Sequence, residues 1–297
     1  MTPVRGNPER RWSPTVRRQR LAHVLAELRD SAGRSAADIA AQLGVAESTV
    51  TRLENPKHLT LPKPEQIQRL LDLYGADGPT RERVQVLVEE ARQRDWWHRY
   101  KAHIPPASAL FLGLEAETTV QRMYNPTHIP GILQTPAYAA GLVGEQLPKL
   151  PNNELEGFAE ERRRWEEHLL VGPDPIRLWV VLGEAALHHQ VGGPATMAEQ
   201  LDYLCEMAQR PNITVAVIPF EHGTHGGLAP FTLLRFSEPL DPETAYLPDP
   251  LGGHWIRDAQ QVADLGGVFE DLLGLHPDLD KNLRLIAEAA ARFRKQT

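Results

Sequence analysis

Four side chains in one short stretch, Glu47, Ser48, Thr51 and Arg52, have the types and spacing of groups that read polar edges. A guanidinium can grip the paired acceptors of guanine, and a carboxylate can accept from the amino group of cytosine. Each also has a plainer reading. Glu47 near a helix N-terminus is favoured by the helix dipole without any ligand, and Arg52 can pair with a neighbouring acid or with phosphate. Thr49 beside them reads as closer to phosphate than to bases. Further candidates for phosphate contact are Arg17, Arg18, Arg20, Lys57 and Lys63, with the Ser35 hydroxyl; any of these cations can equally be a solvated surface charge.

The four readers need an element that presents them on one side, and "SAADIAAQLGVAESTVTRLEN" (Ser35 to Asn55) supplies it. Two helices that cross closely require a small residue at the crossing point, and Ala40 stands there. The sharp turn between them needs a left-handed backbone position, which costs glycine nothing; Gly44 stands four residues later. The second helix needs a branched apolar anchor, filled by Val50. Ile39, Leu43 and Leu53 complete the apolar seam. A generic pair of amphipathic helices would fill some of these positions and seldom all six. With Val50 and Leu53 turned inward, Glu47, Ser48, Thr51 and Arg52 face outward, and the helix Glu47 to Glu54 reads as one that enters the DNA major groove.

The surrounding chain has the punctuation of a helical domain. Residues 1–15 carry three prolines and no apolar period, which predicts a flexible basic arm. Leu21, Val24, Leu25 and Leu28 form one helical stripe that Gly33 ends. Ser35 caps the next helix, with Asp38 as its acidic partner. A fourth helix is expected from about Pro64 to Tyr74, and a fifth from Thr80 to about Tyr100. The consecutive prolines of "HIPPASALF" cannot continue a helix, so the expected division is an arm (1–15), an all-α five-helix DNA-binding domain of lambda-repressor-like kind (16–102) and a mixed α+β domain (103–297). Trp96 and Trp97 read as core packing, with hinge contacts the alternative.

In the α+β part, Leu114 to Met123 reads as helix, as do the stretches from Pro136, from Asn153 to Leu170, from Thr196 to Gln209 and from Asp258 onward. "IRLWVVL", "ITVAVIPF", "FTLLRF" and "TAYL" read as strands, and "GEAALHH" as a short helix. Chemistry is sparse there. The adjacent His188 and His189 diverge on a helix and rarely share a metal. His222 and His225 in "EHGTHGG" lie beside Glu221, a foothold for a metal or acid/base site, but a polar glycine-rich loop is the simpler reading. "IPGILQTPAY" reads as a structural corner, with a ligand pocket as the alternative. No nucleophile elbow, phosphate loop or dinucleotide fingerprint occurs. The expectation is no enzyme, no catalytic residue, no metal and no cofactor.

The chain of 297 residues is 41% hydrophobic and carries a net charge of −7. The charge is unevenly placed: residues 1–75 balance to +4 and residues 76–297 to −11. A basic end on an acidic body suits a nucleic-acid-facing terminus. One cysteine, Cys205, and no apolar run near the roughly 20 residues of a membrane span predict a reducing, cytoplasmic setting without a membrane partner.

At this point "RRQRLAHVLAELRDSAGRSAADIAAQLGVAESTVTRLEN", "LLDLYG" and "WWHRY" resemble the Xre-type helix-turn-helix regulators of actinobacteria, in which a C-terminal domain of unknown function follows. "IPGILQTPAYAAGLV", "ERRRW", "VVLGEAALHH" and "LAPFTLLRF" resemble segments of that second domain in the same order, so the likeness spans roughly residues 17 to 290. The sequence departs from the pattern at Ala46, where Ser or Thr usually caps the recognition helix, at Thr49, where a basic residue is frequent, and at Pro248, where an acid is common. The resemblance implies a transcriptional regulator that binds double-stranded DNA, often encoded beside a small partner protein. A homodimer spanning two half-sites is the default for such a domain. The second domain is expected to sense a small-molecule ligand or to bind such a small partner protein, with an antitoxin-like pairing and an enzyme fused to a DNA-binding domain as the alternatives.

Overall fold

The computed structural model describes residues 13–296, apart from 56–59, 101, 103, 105, 147–150, 237–241, 250–251 and 276–277. Most of the expected arm, the boundary residue His103 and the candidate Lys57 therefore lie outside the described residues. The chain divides into two compact units, the first ending at Trp96 and the second beginning at Trp97.

Five helices build the first unit: α1 (Pro14–Ser31), α2 (Ala36–Leu43), α3 (Glu47–Glu54), α4 (Pro64–Leu73) and α5 (Gly78–Ala91). Their apolar stripes meet in one core of Leu21, Leu25, Ile39, Val50, Leu70 and Val84, among others. Two bounds differ from the sequence reading. Helix α1 starts at Pro14, inside the stretch read as arm, because Ser13 caps it: the Ser13 Oγ accepts from the Thr15 N–H at 3.1 Å. The fifth helix stops at Ala91, well short of Tyr100, and a separate 3-10 turn occupies Trp96–Tyr100. The cause is a lock between the ends of α1 and α5. Arg18 donates through Nε to the Ala91 carbonyl (2.9 Å) and through Nη2 to that of Gln93 (3.1 Å), meeting carbonyls that a longer helix would have used. Asp95 then turns back to accept from the Ser13 hydroxyl (2.8 Å) and the Thr15 hydroxyl (2.7 Å). Burial pushes the Asp95 carboxyl up, and these hydrogen bonds oppose the shift.

The second unit is a mixed sheet with helices around it. In chain order it holds α6 (Pro106–Glu115), β1 (Thr118–Asn125), α7 (Pro136–Gln146), α8 (Asn152–Val171), β2 (Arg177–Gly183), α9 (Pro194–Met207), β3 (Ile213–Ile218), β4 (Phe231–Phe236), β5 (Thr244–Leu247), β6 (His254–Ile256), α10 (Ala259–Gly274) and α11 (Leu279–Arg294). The strand order is β3-β2-β1-β4-β5-β6. Strands β1, β2 and β3 run parallel, joined by crossovers that contain helices. Strands β4 to β6 return antiparallel. The helix expected over Leu114 to Met123 is thus corrected: α6 ends at Glu115 and β1 begins at Thr118. The β-branched run Thr118, Thr119, Val120 suits a strand, and β1 is held on both sides, with Met123 opposite Val180 of β2 and Gln121 opposite Leu234 of β4. "GEAALHH" forms a 3-10 turn over Glu184–Leu187, and β6 was not foreseen.

Helix α10 lays Val262, Phe269 and Leu272 on one sheet face, against Tyr124, Val181, Leu233 and Ala245. Helix α11 guards the outer edge of β3, where the Asn282 Oδ1 accepts the Val217 N–H at 3.0 Å. Among the described residues no helix is long and apolar enough to cross a membrane.

Candidate nucleic-acid interface

The first unit sets α3 in place from three directions. Helix α2 opens with a reciprocal cap: the Ser35 Oγ accepts from the Asp38 N–H (3.1 Å) and donates to the Asp38 carboxylate (2.7 Å). These hydrogen bonds hold the Asp38 carboxyl below its ordinary range. The helix closes at Gly44, whose φ of +70° is the left-handed conformation that the turn requires. The Gly44 and Val45 N–H groups then satisfy the carbonyls of Ala41 (3.3 Å) and Ala40 (3.0 Å). Ile39, Ala40, Leu43, Val50 and Leu53 are all buried.

The far end of α3 is tied down by a group absent from the sequence reading. Glu54 is 9% exposed. Its Oε2 accepts from the Arg29 Nε of α1 and its Oε1 from the Tyr74 hydroxyl at the end of α4, both at 2.7 Å. Burial, then the Glu54 carboxylate, raise the Tyr74 hydroxyl far above the usual phenol range. Arg29 also reaches the Arg34 carbonyl (2.9 Å). A clue was present: Glu54 lies four residues after the inward-facing Val50, so its carboxylate falls on the buried seam and demands partners.

With the seam and the far end fixed, Glu47, Ser48, Thr51 and Arg52 are exposed together and Thr49 is half-buried. The Thr51 hydroxyl donates to the Glu47 carbonyl and the Arg52 Nε to the Ser48 carbonyl, each at 3.2 Å. The guanidinium thus rests along its own helix, with its remaining N–H groups still able to turn outward. Ala46 precedes the helix and supplies no side-chain cap to it.

The phosphate-contact candidates separate. Arg17 pairs with Glu90 of α5 at 3.0 Å and Arg18 holds the α5 C-terminus, so both are engaged in joining helices. Ser35 is spent on its cap, with its hydroxyl still exposed at the mouth of α2. Arg20 is half-buried. Lys63 is exposed at the N-cap of α4, where its N–H donates to the Gln66 Oε1 at 2.9 Å. Arg69 closes α2 by donating to the carbonyls of Gln42 (2.8 Å) and Leu43 (3.4 Å).

In the second unit "IPGILQTPAY" is built as a corner. Gln134 donates to the Ile129 carbonyl (2.8 Å), and Tyr138 accepts the Ile129 N–H (3.3 Å). The fully buried Gln200 of α9 accepts from the Thr135 N–H and donates to the Leu133 carbonyl, both at 2.7 Å. A turn with its buried backbone groups met by side chains in this way is structural.

Residues 20–84 match a helix-turn-helix domain, and residues 108–287 match the family described as a domain of unknown function, DUF5753. The chain belongs to the DUF5753 family. The helix-turn-helix match covers α2, the turn at Gly44 and α3, and it supports DNA as a partner. No curated protein and no solved structure matches the chain.

Four described histidines of the DUF5753 region make contacts within the fold. The His225 Nδ1 accepts the Gly227 N–H at 3.1 Å, with its ring edge-on to Tyr124. His188 lies 3.3 Å from Glu184 and 3.1 Å from Arg292, and its ring stacks on Phe220. His189 faces His128, whose pKa is lowered by burial first and by His189 second. Among the described residues no three His, Cys, Asp or Glu side chains are grouped to hold a metal ion.

Proposed function

We propose that this chain is a sequence-specific transcriptional regulator that binds double-stranded DNA through α3, and whose second unit senses a ligand or binds a small partner protein. One observation carries the reading: Glu47, Ser48, Thr51 and Arg52 stand exposed on a helix whose opposite face and far end are fixed by burial and by the Glu54 clamp. Readers on a pre-set helix lose little freedom on binding, which favours discrimination over loose attachment. The resemblance to Xre-type regulators of actinobacteria supports regulation as the outcome. In this reading the protein acts in the cytoplasm as a homodimer on two half-sites about one helical turn apart, and it binds without catalysing a reaction. The excess of cations in residues 1–75 supports the orientation of that end toward DNA.

The test is selection of bound duplexes from a fragment library by the purified full chain. The expected result is one enriched, two-fold motif. Uniform recovery of all sequences by the full chain would contradict the proposal.

A further inference from the structure

The interior of the second unit holds more negative than positive charge at one point. Glu115 at the end of α6 is completely buried and Glu166 of α8 nearly so. Arg162 of α8 stands between them, its Nε 2.5 Å from the Glu166 Oε1 and its Nη2 4.0 Å from the Glu115 Oε2. The buried Gln121 of β1 donates to the Glu115 Oε1 at 3.3 Å, and among the described residues neither its own Oε1 nor the Glu115 Oε2 has a hydrogen-bond partner. Other groups facing the cluster are Arg163 of α8, half-exposed and turned toward Glu167 at 3.7 Å, and Tyr203 of α9, whose hydroxyl is raised by burial and then by Glu166. One guanidinium in this pocket therefore faces two carboxyls. A second full negative charge, desolvated and without its own cation, is costly in such a place.

The same guanidinium supports the corner. A Cβ placed on Gly131 would collide with the end of Arg162, so the Arg162 fork lies against the turn where Gly131 leaves it room. Arg162 therefore touches both the two carboxyls and the turn at Gly131.

We propose that Glu115 and Glu166 hold one proton between them across Arg162, making the packing of the 129–135 corner on α8 a proton-dependent contact. Burial pushes the Glu166 carboxyl up to about 8, with Arg162 opposing and Glu115 adding to the rise, and it raises Glu115 as well. The sign follows from proton linkage. A carboxyl raised in the folded state contributes stability that is fully present below its unfolded pKa near 4.5 and is lost as pH rises to about 8. The deprotonated cluster then weakens the corner without unfolding the sheet.

The test uses the full chain and two isosteric variants, Glu166→Gln and Glu115→Gln, in denaturant melts from pH 5 to 9. Gln mimics the protonated carboxyl. The folded-to-unfolded ratio of wild type relative to Glu166→Gln should fall about tenfold per pH unit through the middle of that window and level off near pH 8. Amide exchange over 129–135 should quicken with pH in wild type and stay flat in the variant. A constant ratio at every pH overturns the proposal. Selective carbon-13 labelling of glutamate carboxyls in wild type decides the matter should a variant not fold. One resonance titrating well above pH 6 supports the shared proton, and none doing so refutes it.

Discussion

Arg52 and Glu54 lie two residues apart on α3 and face opposite worlds. Arg52 is exposed with its Nε resting on the Ser48 carbonyl, whereas Glu54 is clamped between Arg29 and Tyr74. Their substitutions should separate accordingly. Arg52→Ala should leave the fold intact and remove about 1–3 kcal/mol of discrimination at one base position, seen as relaxed specificity when operator variants are titrated. Lys63→Ala, by contrast, should weaken every sequence alike and shallow the salt dependence by about one phosphate contact. Tyr74→Phe leaves one Glu54 oxygen buried without its donor. It should cost about 1–3 kcal/mol of stability in urea melts, and DNA affinity should fall only as far as α3 loosens. Equal stability in Tyr74→Phe and wild type would show that the clamp is not needed.

At the scale of elements, local chemistry and long-range chemistry part company. The turn between α2 and α3 was legible because its determinants are near neighbours: a Ser–Asp cap, a glycine with positive φ and an apolar seam repeated at helical spacing. Gly44→Ala meets no neighbouring atom, so its cost should be the left-handed backbone alone, about 1–2 kcal/mol. A thermal melt of that variant checks the point. Strand β1 was not legible. "LGLEAETTVQRM" carries apolar residues at spacings a helix would accept beside a β-branched run, and pairing with β2 and β4 decides for the strand. Arg17 and Arg18 likewise meet distant partners, Arg17 pairing with Glu90. Arg18 hydrogen-bonds to carbonyls 73 and 75 residues away, and no local pattern announces them. Arg18→Ala should therefore fray the end of α5 in amide-exchange measurements while leaving the salt slope of DNA binding unchanged. A slope reduced by about one contact would return Arg18 to the phosphate-facing set. Glu54 stands between these cases: its place on the inward face was visible, but its partners on α1 and α4 were not.

The whole molecule joins a small basic-ended helical unit to a larger acidic α+β unit, with +4 over residues 1–75 and −11 over the remainder. Electrostatic attraction to DNA is then carried by the helix-turn-helix end and opposed at a distance by the rest, a balance that salt should shift strongly. In the second unit Gln200, Gln134 and Tyr138 build a corner, Asn282 seals a sheet edge and Arg162 divides itself between two carboxyls. The exposed face of α3 is the proposed reader of DNA sequence. Its most direct test is a titration of the full chain and of Arg52→Ala against the selected operator and each of its single-base variants, at two salt concentrations. The predicted result is a parent that distinguishes the variants and a mutant that has lost discrimination at one position while keeping the same salt slope. A mutant with the parent's full pattern of preferences would contradict the assignment of the α3 face as the reader.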